Sequence, residues 1–135
     1  MLALAHAVAP PPLAAGGPAT VDVVADGMFT EGIEGPAVGP DGALYAVNFG
    51  RDGTIGRVAM HPDGARAELY LELPAGSIGN GIRFDARGRM YVADYTAHRI
   101  LRIDPHDRGI AVHAHEPRMH QPNDIAIAPD GTLYA

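Results

Sequence analysis

Three polar residues stand at matching places in this chain, and each carries a side-chain oxygen donor. Glu34 opens "EGPAVGPDGALYAVN", Asn80 opens "NGIRFDARGRMYVAD" and Asn123 opens "NDIAIAPDGTLYA". One carboxylate and two amide oxygens form a hard donor set, suited to Ca²⁺ first and to Mg²⁺ before any soft metal. Taken singly, Asn-Gly and Asn-Asp mark ordinary turns. Taken together they are in phase, and that points to a site. Such a set does chemistry only if the chain brings the three side chains together.

What would bring them together is a repeat. A glycine follows each start by eight residues (Gly42, Gly88, Gly131), and a tyrosine follows by eleven (Tyr45, Tyr91, Tyr134). The starts are 46 and 43 residues apart, a period that matches propeller blades of four strands. Each unit predicts an inner strand at 36–39 or 81–85, a turn at Pro40-Asp41-Gly42 or Ala86-Arg87-Gly88, and a second strand in "ALYAVN" or "RMYVAD". "TIGRVAM" and "RILRID" supply the third strand, "ARAELYLEL" and "GIAVHAHE" the fourth. In "RILRID", Ile100, Leu101 and Ile103 fall on both faces, as a blade packed between two neighbours requires. In a propeller every first strand runs along the central channel, so Glu34, Asn80 and Asn123 are expected to meet at one axis.

Composition agrees with an all-β fold. Seventeen Gly and twelve Pro in 135 residues disfavour long helices. A net charge of −6 with no Lys/Arg cluster argues against nucleic-acid and anionic-membrane partners, which need a basic face. The absence of cysteine excludes disulfides, thiolate metal sites and cysteine nucleophiles. Residues 1–19 read as a disordered leader or the remnant of a signal peptide, with Ala7-Val8-Ala9 as a small-residue cleavage site but no basic residue ahead of it. The compartment stays open between cytoplasm, the default, and periplasm or exterior. Residues 20–135 form the propeller part, and Thr20–Gly27 is expected as an isolated strand that closes a ring. The third unit stops after about a strand and a half. The chain therefore reads as the opening of a longer propeller, roughly two and a half blades where four to eight are usual. A short protein that assembles into a ring is the alternative.

The pieces "EGP" at Glu34 to Pro36, "NGIRFDARGRMYVAD" and "QPNDIAIAPDGTLYA" resemble the senescence marker protein, gluconolactonase and luciferin-regenerating enzyme family over residues 28 to 135. The resemblance implies a six-bladed propeller lactonase that hydrolyses a small cyclic ester with a divalent cation, Ca²⁺ in first place and Mg²⁺, Mn²⁺ or Zn²⁺ as alternatives. It places Glu34 on a metal-binding glutamate. It places Asn123 on an asparagine that serves as ligand or substrate contact, and so as the catalytic candidate. Asn80 falls where the family varies, and its assignment as a metal ligand rests on phase alone. A further asparagine and an aspartate, the usual general base, have no counterpart among these 135 residues, so this chain by itself is expected to hold metal poorly and to be inactive.

A non-catalytic ligand- or partner-binding propeller is the reading from a different class, and strictosidine-synthase-like or paraoxonase-like enzymes are nearer rivals. His113 and His115 share one face of the predicted outermost strand, far from the axis, and are expected at the surface. His120 reads as a loop residue, "GSIGNG" as a connection between blades, and Asp94 and Asp104 as turn hydrogen-bonding groups.

Overall fold

A computed structural model describes residues 26–135. The leader, and the expected strand at Thr20–Gly27 except its last two residues, lie outside them; Asp26 and Gly27 form a turn. Ten strands follow in chain order: β1 (Ala37–Val38), β2 (Leu44–Val47), β3 (Thr54–His61), β4 (Gly64–Glu72), β5 (Gly79–Phe84), β6 (Met90–Asp94), β7 (Arg99–Ile103), β8 (Ile110–His115), β9 (Ala126–Ile127) and β10 (Leu133–Tyr134). Strands β1 to β4 form one four-stranded sheet, β5 to β8 a second, and β9 and β10 a two-stranded third. Every pairing joins chain neighbours in antiparallel register, so each sheet is a simple meander. The described residues contain no helix long and apolar enough to cross a membrane.

The repeated glycine has a geometric cause. Gly42, Gly88 and Gly131 have φ of 76°, 76° and 87°, in the left-handed region that side chains disfavour. Each donates its N–H to the carbonyl three residues back, on Gly39, Asp85 and Ala128, at 3.0, 2.9 and 2.9 Å. One tight turn thus recurs between the first and second strand of every sheet.

The repeated apolar residues bury the sheets against one another. On the second sheet, strand pleating sends Met90 and Val92 to one face and Tyr91 and Ala93 to the other. Met90, Val92, Leu101, Ile103 and Ile82 pack with Ala43, Tyr45, Val47 and Ile55 of the first sheet and with Leu73. Tyr91, Ala93 and Ile100 pack with Ile125, which leads into the third sheet. The split of Ile100 from Leu101 and Ile103 is thus the two-sided packing expected of a blade, with a bulge between Ile100 and Leu101. Burying each large apolar side chain contributes roughly 1.5–3 kcal/mol, which makes the faces between sheets the main source of stability.

The inner strands differ in extent from their sequence reading. β1 is only two residues long, and β5 begins before Asn80 rather than after it. A register shift between Gly79 and Ile82 places Asn80 and Gly81 in a bulge, which turns a strand residue out of the ladder.

Candidate functional site

Glu34 precedes β1, Asn80 sits in the bulge of β5 and Asn123 precedes β9. All three line one cavity of about 220 Å³, together with Gly35, Gly81, Arg83 and Asp124. Two close backbone approaches hold the blade starts together. A Cβ on Gly35 would lie 2.0 Å from the carbonyl oxygen of Asn80, and Gly35 also has φ of 59°. A Cβ on Gly81 would lie 2.9 Å from the carbonyl oxygen of Asn123, to which the Gly81 N–H donates at 2.7 Å. Only glycine lets each start lie against the next. The residue after the polar start is therefore as much part of the site as the start itself, and its signal was the Glu-Gly and Asn-Gly pairing.

The side chains of Glu34, Asn80 and Asn123 make no hydrogen bond or ion pair among the described residues. Glu34 and Asn123 are exposed and Asn80 is half-buried. Their donor atoms are thus free to take a ligand. No three His, Asp or Glu side chains among the described residues are grouped closely enough to hold a metal. The charged donors available to a cation in this cavity are Glu34 and Asp124, and any remaining donors would be amide or backbone oxygens. That set fits a hard cation and not a soft one.

Sequence reasoning missed Arg83 and Asp124. Their ion pair spans the second and third units at 2.9 Å, with the side chains 38% and 63% exposed. A second guanidinium nitrogen of Arg83 donates to the carbonyl of Ile82 at 2.6 Å, and the Asp124 carboxylate accepts the Ile125 N–H at 2.8 Å. With Glu34, the cavity carries two carboxylates and one guanidinium, a formal charge of −1. The signal was a break in the repeat. In phase, Ala37, Arg83 and Ala126 are equivalent, and so are Gly35, Gly81 and Asp124. Each partner is the charged member of its column.

The other polar groups lie elsewhere. Asp94 is fully buried at the end of β6, where its carboxylate accepts from Ser77 Oγ at 2.7 Å and Arg99 Nε at 2.8 Å. It also takes the Ala97 N–H and the Thr96 hydroxyl, both at 3.3 Å, so the aspartate holds a turn and an internal ion pair. The Asp104 carboxylate accepts the His106 N–H at 2.9 Å. His113 and His115 are exposed on β8, the outermost strand of the second sheet, with the His113 ring edge-on to Tyr91. His120 is exposed beside His98, their rings 6.4 Å apart, and does not line the cavity. "GSIGNG" links β4 to β5 and enters β5 at Gly79. A larger cavity of about 400 Å³ lies at the opposite end of the strands, where Arg57 pairs with Asp41 and Glu68 while Arg108 stacks on Tyr70 and donates to its carbonyl at 2.9 Å.

Solved structures share this architecture. Virginiamycin B lyase from Staphylococcus aureus, seen as a catalytically inactive variant with quinupristin, matches with a TM-score of 0.60 and 22% identity, over 75% of this chain and 33% of its own. The fold is that of a β-propeller. A provisionally assigned 6-phosphogluconolactonase from Bacteroides uniformis matches with a TM-score of 0.59 and 24% identity, over 76% of this chain and 32% of its own. The chain spans about a third of the length of these propellers. No family model and no curated protein matches it.

Proposed function

We propose that the cavity at the blade starts binds a divalent cation, Ca²⁺ in first place, and that the propeller to which this chain contributes hydrolyses a lactone. One observation carries the reading: three in-phase oxygen-bearing side chains line a single cavity with no protein partner among the described residues. A bound cation would polarise the ester carbonyl and stabilise the oxyanion formed when water adds.

The residues of this chain divide the remaining work. The Glu34 carboxylate fixes the cation and lowers its net charge. Asn80 and Asn123 add oxygen without adding charge, which keeps the cation a strong electron acceptor. Asn123 stands at the third start, where an amide can also hold the substrate by its N–H group. The glycines set the spacing, because each start rests on the backbone of the next. The architecture shared with the provisionally assigned 6-phosphogluconolactonase supports this reaction class. The lyase shows that the same fold also hosts other chemistry, so the reading rests on the donor set and not on the fold.

Calorimetric titration of Ca²⁺ into the propeller that carries this chain and into its Glu34→Gln variant tests the site. The variant is expected to bind at least about tenfold more weakly, the equivalent of ~1.4 kcal/mol. In the propeller that carries this chain, the same substitution and a chelator are each expected to suppress hydrolysis of glucono-δ-lactone. Equal Ca²⁺ affinity in parent and variant, with equal hydrolysis, refutes the reading.

A further inference from the structure

Arg83 and Asp124 are each the charged member of an otherwise small, uncharged column of the repeat, both line the cavity, and they pair with each other. We infer that Asp124 is a further cation-ligating carboxylate of this cavity, held in reserve by Arg83, so that Arg83 sets how strongly the site binds metal. The inference rests on the reading of the cavity as a cation site.

The first two units place glycine after the polar start, where it makes room for the neighbouring backbone and, at Gly81, for the Asp124 carboxylate. The third unit places a carboxylate there instead, one residue from Asn123. A carboxylate is the strongest donor available to Ca²⁺, and two would leave a divalent cation formally neutral. Arg83 competes for that carboxylate. Its guanidinium sits 2.9 Å from Asp124, is anchored by the Ile82 carbonyl, and brings a positive charge into the cavity lining. Asp124 is 63% exposed, so its side chain has room to turn once released. While the pair is closed, Glu34 is the one free carboxylate of the lining among the described residues. A cation held by it alone keeps a net positive charge, the state in which it attracts an ester oxygen or an anionic product best.

Calcium titration of Arg83→Gln, Arg83→Lys, Asp124→Asn, the double variant Arg83→Gln/Asp124→Asn and Glu34→Gln, each with a thermal melt to establish folding, tests the assignment. Arg83→Gln is expected to bind Ca²⁺ about tenfold more tightly than the parent, because it removes a like charge and frees a ligand. Arg83→Lys keeps the charge and is expected to show no gain. The double variant is expected to lose the gain. Unchanged or weaker binding by a folded Arg83→Gln protein, or a gain that survives in the double variant, overturns the inference. It does so without touching the cation reading as long as Glu34→Gln still loses affinity; a Glu34→Gln protein that binds as tightly as the parent overturns both.

Discussion

The Asp94 cluster and the cavity at the blade starts use the same kinds of side chain to opposite ends. Asp94 is fully buried, and Ser77, Arg99, Thr96 and the Ala97 N–H occupy its oxygens. Glu34, Asn80 and Asn123 line a cavity and have no partner among the described residues. A charge taken out of water must be paired, and the pairing leaves nothing for a ligand. A charge left at a cavity wall keeps its hydration until a ligand replaces it. Saturation marks scaffold; the unspent donors line the cavity proposed as the site.

The first sheet offers a second contrast at the position in phase with Asp94. Asn48 stands there, with φ of 65° and 5% exposure. Its Nδ2 donates to the Gly32 carbonyl at 2.6 Å, while its Oδ1 is buried with no partner among the described residues. The amide thereby ties down the segment that carries Glu34, where the second sheet uses a complete ion-pair cluster.

The contrast can be broken most directly at Asp94. Asp94→Ala removes the carboxylate that pairs the half-buried Arg99 and is expected to cost about 3 kcal/mol in urea unfolding, the low end for breaking a buried pair because Arg99 still reaches solvent. Glu34→Ala should move the same midpoint by no more than about 0.5 kcal/mol. Comparable losses in the two variants contradict the division into scaffold and site. Next comes Gly35→Ala, which drives a Cβ into the Asn80 backbone at a left-handed φ and is expected to cost about 1–3 kcal/mol. Because it also separates Glu34 from Asn80, Ca²⁺ affinity should fall with it; a folded variant of unaltered affinity detaches Asn80 from the site. The smallest effect is acid sensitivity. Burial raises the carboxyl pKa of Asp41 and of Asp85, but hydrogen bonds from Arg57 and from Arg89, with backbone N–H groups, outweigh it and hold both below the ordinary value. At pH near the unfolded pKa of about 3.9 the unfolded chain binds more protons, so stability rises with pH there and is lost as pH falls through the folded values. Asp41→Asn with Asp85→Asn should flatten that acid slope, and an unchanged slope between pH 5 and 2 would assign it to other groups.

The repeat made the architecture legible. The turn glycines are visible because a left-handed φ admits few other residues, and the second-strand tyrosines recur where Tyr45 and Tyr91 are buried at 5% exposure. Tyr134, in phase with them, is 62% exposed in its two-stranded sheet. Burial of this tyrosine comes from beyond its own strand: Tyr45 packs on Tyr70 and Phe84, and Tyr91 on His113. Register also escaped the sequence at Asn80, because a bulge depends on how β5 meets β6 and not on the residues of β5 alone.

By itself the sequence determined the strand period, the recurring turn and the three polar starts, since each follows from local geometry: the two-residue pleat, the sign of φ and a constant blade length. Only the tertiary structure decided that Arg83 meets Asp124, that Asp94 is sealed in the interior, and that Arg57 in the cavity at the other end is already paired with Asp41 and Glu68. Electrostatic pairing and burial act through space between residues up to 41 positions apart in the chain, and no local pattern encodes which neighbour arrives.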